Sequence, residues 1–241
     1  MKKEFELSIV IPAYNEEKII RNTLRKVLFY LENRNFSWEV LVVDDGSKDR
    51  TSEIVKKFAE KKVQYIRLKE NRGKGAALKR GILKAKGEFI IFMDADLSVD
   101  LSNIEKFLNV LKGGEDVVIA SRRVKGAEIK VHQPWYRENM GRIFTFLTRT
   151  FMGVKLTDFT CGFKGFSKVA AKKIFKNSLI PGWAYDAEIM FLAKKYGYKI
   201  VELPVNWVNR KDTRVKLKKV IFETSRDLFK IRLNNLFGFY D

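Results

Sequence analysis

The sequence has a single cysteine, Cys161, in 241 residues. One cysteine excludes an internal disulfide and a cysteine-based zinc site, and it fits a reducing, cytoplasmic setting. Hydrophobic residues make up 46% and charged residues 32% of the chain. This balance excludes a disordered protein and is typical of a folded globular one. The length favours one domain with appendages over two small domains.

Long apolar runs are also missing. The first five residues lead directly into a strand-like segment, without the apolar run of about 7–15 residues that marks a signal peptide. No stretch approaches the roughly 18 consecutive apolar residues that cross a bilayer. The sequence therefore predicts no transmembrane helix, and an association with a membrane is expected to be peripheral, on its cytoplasmic face.

Acidic residues are few beside the basic ones. The chain has 48 Lys and Arg against 29 Asp and Glu, a formal net charge of +19. A surplus of this size favours anionic partners, namely nucleic acid, anionic lipid or phosphorylated substrates. A Lys- and Glu-rich surface of the kind found in heat-adapted proteins would explain many of these charges but not their imbalance.

The first 120 residues alternate short apolar runs with segments of helical periodicity. This alternation predicts βαβ units, and hence an α/β fold with a mostly parallel sheet. The predicted strands are 7–11, 39–43, 63–68, 88–93 and 116–120, with a later strand at 199–205. The predicted helices are 16–32, 49–61, 74–86, 101–111, 137–153 and 215–236. Residues 125–136 are predicted to form a loop.

Polar clusters follow four of the first five predicted strands, at residues 12–16, 44–47, 94–96 and 121–123. Ligands of parallel sheets bind at the carboxyl ends of the strands. Four polar clusters at strand ends on one edge therefore predict a site there. Asp94 and Asp96, one residue apart after a buried strand, can reach one divalent cation that bridges nucleotide phosphates.

Two further segments support a phosphate-bearing ligand. Asp44 and Asp45 would receive a base or ribose, or else form a turn that caps the next helix. Lys74 and backbone N–H groups at the start of the third helix could face a phosphate, although Gly73 and Gly75 lack the spacing of a P-loop.

Four segments of the chain resemble the family 2 glycosyltransferases in order and spacing. They are Pro-Ala-Tyr-Asn-Glu at 12–16, Asp-Asp-Gly-Ser at 44–47, Asn-Arg-Gly-Lys-Gly-Ala-Ala at 71–77 and Asp-Ala-Asp at 94–96. Ser121-Arg122, Arg137, and the segments 158–164 and 183–188 are similar to the dolichyl-phosphate glucosyl- and mannosyltransferases. The glucosyl branch is the nearer, because of Cys-Gly-Phe-Lys and the Trp-x-x-Asp-x-Glu pattern. The resemblance spans residues 6–233.

The resemblance implies a GT-A fold, an inverting transfer of a hexose, and Mg2+ or Mn2+ at Asp94 and Asp96. It implies that Ser121, Arg122 and Arg137 bind the phosphate of a polyprenyl or dolichyl acceptor. The implied catalytic residues are Asp96, Asp186 and Arg122. The residues implied for the nucleotide-sugar are Pro12, Ala13, Tyr14, Glu16, Asp44, Asp45, Lys74, Asp94, Ala95, Asp96 and Arg214, of which Pro12, Tyr14, Glu16 and Asp45 would line the nucleoside pocket.

Two positions depart from the family pattern. Ser98 stands where mannosyl relatives often carry a glutamine that contacts the metal, which puts that contact in doubt. Asp212-Thr213-Arg214 replaces a Gly-Ser-Lys type segment near the donor phosphates, so the charge is kept but the glycine is lost.

The acceptor determines what catalysis requires. A phosphate oxygen is already anionic and needs no general base, whereas a sugar hydroxyl must lose a proton. Asp186 is the candidate base for a hydroxyl acceptor, with Glu188 behind it. The alternative is that Asp186 and Glu188 are simply acids in the first turn of a helix.

Two basic amphipathic helices, at 137–153 and 215–236, could lie on a membrane surface or pack on the sheet or another subunit. The expected organisation is a GT-A domain at 1–208, with a nucleotide-sugar half at 1–122 and an acceptor half at 123–208, and a basic helical extension at 209–241.

Several readings stay open beside transfer of glucose from UDP-glucose to a lipid phosphate. The donor could be GDP-mannose, or the acceptor a sugar hydroxyl. A nucleic-acid-binding protein is disfavoured, because the acidic strand ends would repel a phosphate backbone, and no nucleic-acid partner is expected. A sugar nucleotidyltransferase would need a Gly-rich, Arg-containing N-terminal loop, which the sequence lacks. The oligomeric state, including a homo-oligomer, is left open.

Overall fold

The computed structural model describes residues 5–59, 63–131, 134–209 and 217–241. The strands are β1 Leu7–Ala13, β2 Trp38–Asp44, β3 Val63–Arg67, β4 Phe89–Met93, β5 Val117–Ser121, β6 Glu128–Val131, β7 Phe163–Ser167, β8 Ile200–Pro204 and β9 Asn206–Val208. The helices are α1 Ile20–Glu32, α2 Thr51–Lys56, α3 Lys74–Lys84, α4 Asn103–Lys112, α5 Trp135–Met152, α6 Lys168–Asn177, α7 Tyr185–Lys195 and α8 Leu217–Leu236.

Seven strands form one sheet in the order β3-β2-β1-β4-β7-β5-β8. All neighbouring pairs are parallel except those of β7, which lies antiparallel between β4 and β5. Every residue of β1, β2, β4 and β5 is buried, as expected for strands covered on both faces. The predicted α/β fold with a mostly parallel sheet is confirmed.

Helices cover both faces of the sheet. One core cluster includes buried residues of α1 and α4, such as Leu24 and Phe107. The cluster on the other face includes residues of α3, α6, α7 and α8, such as Leu78, Ile174 and Ile231. Since β1, β2, β4 and β5 all run in the same direction, the four polar strand ends lie on one edge, as predicted.

The structure corrects several element assignments. The predicted loop at 125–136 is wrong, because β6 pairs there with β9 in a small second sheet and α5 begins at Trp135. The strand β7 and the helix α6 were not predicted. The two predicted halves of the chain share one sheet, since β7 of the second half separates β4 from β5. His132, Arg214 and the rest of 210–216 lie outside the described residues.

Candidate active site

Asp94 follows β4 and is held from two sides. Its backbone N–H donates to the carbonyl of Gly162 at 3.1 Å. Its carboxylate, 37% exposed, lies 2.5 Å from the Lys74 ammonium. A Cβ on Gly162 would overlap that carboxylate, so a side chain at this position would displace it. The loop before β7 therefore determines where the Asp94 carboxylate points.

Asp96 is held by Ser98. The Ser98 backbone N–H donates to Asp96 Oδ1 at 2.9 Å, and the Ser98 hydroxyl donates to Oδ2 at 2.7 Å. Burial, and after it the charge of Asp94, raises the pKa of Asp96. Ala95, between the two acids, accepts a hydrogen bond from the Thr23 hydroxyl at its carbonyl. Ser98 thus orients Asp96 through both its backbone N–H and its hydroxyl.

Backbone N–H groups at the start of α3 donate hydrogen bonds to other parts of the protein. Asp45 accepts from the backbone N–H groups of Arg72 at 2.8 Å and Gly73 at 2.9 Å. The N–H groups of Gly75 and Ala76 donate to the carbonyl of Pro181 at 2.8 and 3.3 Å. The expectation that these backbone groups face a phosphate is therefore wrong. The Lys74 side chain, beside Asp94, keeps the phosphate role as a prediction.

A pocket of about 820 Å³ opens at the carboxyl ends of β1, β2 and β3. Of the residues predicted for the nucleoside, Tyr14 lines it; its side chain is exposed. The other lining residues are Gly46, Ser47, Lys48, Asp49, Ser52, Glu53, Lys56, Arg67, Lys69, Glu70 and Asn71. Arg67 and Lys69 were missed, although Arg67 ends β3 and Lys69 comes just after it, where other strands carry their predicted polar clusters.

The remaining residues predicted for the nucleotide lie deeper. Pro12 and Ala13 are buried in β1. The fully buried Asp44 accepts from the backbone of Ser47 at 2.7 Å and the hydroxyl of Tyr65 at 2.6 Å. Glu16, partly buried, donates its backbone N–H to the Thr51 hydroxyl at 2.8 Å. The hydrogen bonds of Asp44 and Glu16 therefore stabilise the strand ends beside the pocket.

Arg122 follows β5 and forms a bidentate salt bridge with Asp158. Its Nε and Nη2 donate to the two carboxylate oxygens at 2.6 and 2.8 Å, and Nη2 also donates to the Thr160 hydroxyl at 2.8 Å. The guanidinium carbon lies 5.3 Å from the centre of the Trp207 ring. Burial alone would raise the pKa of Asp158, but Arg122 lowers it to about 2. Arg122 is therefore a fixed cation, 14% exposed.

Of the other two residues predicted for the acceptor phosphate, the structure describes the side chain of Ser121. Ser121 is fully buried, and its hydroxyl is 2.8 Å from that of Thr157. Arg137 lies in the first turn of α5, and its side chain is outside the described part of the chain. Their contact with an acceptor phosphate stays a prediction.

Asp186 lies in the first turn of α7 and is 5% exposed. Its carboxylate accepts from the fully buried Lys164 ammonium at 2.5 Å. Lys164 also donates to the carbonyl of Cys161 at 2.7 Å. Burial raises the pKa of Asp186, although Lys164 and Lys74 oppose the rise. Lys164 and Asp158 stand in the segment 158–164 that carried the resemblance, but neither was assigned a role.

Comparison with known proteins places the chain in a family. The model described as "Glycosyl transferase family 2" matches residues 8–175. The chain is 36% identical to a human dolichyl-phosphate beta-glucosyltransferase, over 97% of this chain and 76% of that one. It is 33% identical to such an enzyme of Trichomonas vaginalis, over 95% and 74%.

The chain belongs to glycosyl transferase family 2. A solved structure with the same fold is glucosyl-3-phosphoglycerate synthase of Mycobacterium tuberculosis, in complex with Mn2+, uridine diphosphate and phosphoglyceric acid. Its TM-score is 0.67 at 19% identity, over 95% of this chain and 78% of that one. The predicted family, GT-A fold and glycosyltransferase activity are confirmed.

The Asp94 and Asp96 carboxylates fit a divalent cation. Two acids of like charge lie one residue apart, one of them partly exposed, and the described cation that contacts them is the Lys74 ammonium, at Asp94. Within the described residues, no group of three or more His, Cys, Asp and Glu side chains could hold a metal. A cation here would therefore complete its coordination with phosphate oxygens and water, as hard divalent cations commonly do.

Proposed function

We propose that this transferase moves glucose from UDP-glucose to a polyprenyl or dolichyl phosphate. The observation that carries the proposal is the Asp94–Asp96 pair with Lys74 at the strand ends, beside a pocket of nucleoside size. The relatives named above, dolichyl-phosphate beta-glucosyltransferases, support the sugar and the acceptor.

The donor side would hold the diphosphate through Asp94, Asp96 and Lys74. Mg2+ or Mn2+ bound to the two acids would neutralise charge on the leaving diphosphate. Lys74 would turn from Asp94 toward the phosphates, since the cation and the ammonium compete for the same carboxylate. Tyr14 would pack against the base in the pocket, and Arg67 and Lys69 would add positive charge at its rim.

The acceptor side would use Arg122 to bind a phosphate and orient one of its oxygens at the anomeric carbon. That oxygen is already anionic, since a phosphate monoester has a second pKa of ~6. Its attack forms the new C–O bond while the bond from the sugar to the diphosphate breaks, with inversion. No residue has to remove a proton, which agrees with Asp186 being bound by Lys164. Catalysis then depends on position and electrostatics.

The membrane is the proposed location of the acceptor, on the cytoplasmic face. The outer sides of α5 and α8 and the turn after α8 expose large apolar side chains. They are Trp135, Ile143, Phe146, Phe151, Phe229, Leu236, Phe237 and Phe239. The exposed cations Arg142, Arg149, Lys230 and Arg232 lie on the same helices. A basic helix with aromatic side chains binds at the membrane interface. Within the described residues, no helix has the length and apolar character needed to cross a bilayer.

The proposal is tested with labelled nucleotide-sugars, Mn2+ or Mg2+, and a polyprenyl phosphate, followed by extraction into organic solvent. We expect label in the lipid phase from UDP-glucose, abolished in Asp96→Asn and retained in Asp100→Asn, a matched change four residues away. Label from GDP-mannose alone would correct the donor. Absence of lipid-phase label with every donor would overturn the proposal.

The second candidate is transfer to a sugar hydroxyl, with Asp186 as the base. Asp186→Asn separates the two, provided that thermal unfolding shows the variant to be folded. Lipid-phosphate transfer predicts that the folded variant retains activity, because no proton has to leave the acceptor oxygen. A base mechanism predicts that Asp186→Asn abolishes activity.

A further inference from the structure

The turn after α8 buries a tyrosine that has no role in the proposed site. Tyr240 has no exposed surface, and its ring centre lies 6.2 Å from that of Phe191 in α7. Its hydroxyl donates to Glu188 Oε1 at 2.6 Å and accepts from the Asn234 amide at 3.3 Å. Its carbonyl accepts from the hydroxyl of Tyr196 at 2.8 Å. The turn is thus bound to α7 through side chain and backbone.

Glu188, the partner of Tyr240, also holds a loop. The side chain is fully buried, and its two oxygens accept the backbone N–H groups of Leu179 at 2.8 Å and Ile180 at 2.9 Å. A buried carboxylate that accepts three hydrogen bonds has a fixed position, because each lost bond leaves a costly unpaired group. The loop at 179–181 is therefore positioned from α7 by a residue that Tyr240 orients.

The loop in turn sets the first turn of α3. Pro181 accepts the N–H groups of Gly75 and Ala76. A Cβ on Gly73 would lie 2.5 Å from the Pro181 carbonyl oxygen, and one on Gly75 would lie 2.6 Å from that of Ile180. The two backbones are therefore in direct contact on both sides of Lys74, whose ammonium reaches Asp94.

We propose that Tyr240 is a positioning residue for the donor site: through Glu188 and the 179–181 loop it fixes the start of α3, and with it Lys74. The role of Lys74 at the diphosphate rests on the proposed function. The path runs through four consecutive contacts, each between buried or partly buried groups, and ends 2.5 Å from Asp94. Tyr240 touches no substrate and acts only by holding Lys74 in place.

The test measures nucleotide binding rather than turnover. Titration calorimetry with UDP and GDP in the presence of Mn2+ first identifies the nucleotide that the unmodified chain binds. We expect Tyr240→Phe to weaken binding of that nucleotide by about three- to tenfold. This loss corresponds to part of the free energy of one hydrogen bond to a charged group. Tyr30→Phe is the matched control, because its hydroxyl also donates to a carboxylate, that of Glu105 at 2.9 Å, on the other face of the sheet, and we expect binding within about twofold of the unmodified chain.

Two further variants separate positioning from loss of stability. Asn234→Ala removes one contact of the Tyr240 hydroxyl but leaves the bond to Glu188, so we expect a lower melting temperature with unchanged nucleotide affinity. Tyr240→Phe combined with Glu188→Gln should bind no more weakly than Glu188→Gln alone, because both act on one path. Unchanged affinity in Tyr240→Phe, or additive losses in the double variant, would overturn the proposal. If neither nucleotide binds the unmodified chain, the proposed donor site fails instead.

Discussion

Asp94 depends on a residue that has no side chain. Gly162 leaves just enough room for the Asp94 carboxylate, which a Cβ would displace. We expect Gly162→Ala to fold and to lower kcat/KM by about 100-fold, because a displacement of roughly 1 Å at a reacting group has an effect of that size. The measurement is the Mn2+ dependence of transfer, which should shift to higher metal concentration. Gly182→Ala is the control, since its Cβ would meet nothing closer than 3.7 Å; equal losses in both variants would contradict the argument.

The Arg122–Asp158 pair makes stability depend on pH in the acid range. The pKa of Asp158 is lowered from 3.8 to about 2 in the folded chain. A lowered folded-state pKa stabilises the fold above the unfolded pKa, and this contribution is lost as pH falls from about 4 to about 2. Its full size is about 2 kcal/mol.

Urea unfolding near pH 6 and near pH 3 measures this contribution. We expect Asp158→Asn to be less stable by about 3 kcal/mol near pH 6, because it leaves Arg122 without its buried partner. The deficit should shrink near pH 3, whereas the surface variant Glu32→Gln should follow the unmodified chain at both values. A deficit that does not change with pH would contradict the assigned ion pair.

For single residues, the sequence predicted which of them lie on the same edge of the sheet. It did not predict the contacts that each side chain makes. The strand-end rule correctly brought Asp94, Asp96 and Arg122 to one edge. It could not show that Asp45 binds the backbone of residues 72 and 73, because that contact joins segments of the chain that meet only after folding. It also could not pair Arg122 with Asp158, 36 residues away.

At the level of elements, the apolar pattern identified the parallel strands but not β7. This strand reads Phe-Lys-Gly-Phe-Ser, and its Lys164 is fully buried. A buried lysine and a glycine hide the apolar run that marks a central strand. Lys164 is tolerated there because Asp186 and the Cys161 carbonyl bind its ammonium, and neither partner can be read from local sequence. The strands β6 and β9 are too short, at four and three residues, to show a period.

The exposed faces of α5 and α8 give a prediction about membrane binding. Phe146 is 67% exposed, and moving its ring from water into lipid is worth about 1.5–3 kcal/mol. We therefore expect Phe146→Glu to weaken sedimentation with lipid vesicles by about tenfold or more, without affecting nucleotide binding. Phe29→Glu is the matched control, because Phe29 is 73% exposed on α1, across the sheet. Equal losses in the two variants would contradict a membrane face on α5.

For the molecule as a whole, the net charge of +19 predicts that lipid charge and salt control membrane binding. Each Lys or Arg near an anionic bilayer contributes about 1 kcal/mol, and this attraction is screened within about 10 Å at 0.1 M salt. We expect vesicles with anionic lipid to bind more tightly than neutral ones, and this preference to fall by about tenfold between roughly 50 and 500 mM salt. A preference that salt does not reduce would show that charge is not its cause.

The position of β7 also has a consequence for how the chain folds. β4 and β5 are separated by only the helix α4 along the chain, yet each pairs with β7 rather than with the other. During synthesis the segment from β1 to β4 can pair early, whereas β5 has no neighbour until residues 163–167 have left the ribosome. Both Asp94 and Arg122 follow strands that β7 joins, so the proposed donor and acceptor sides are assembled in one late, non-local step. Such pairings form slowly, since loop closure precedes the contacts that compensate for it.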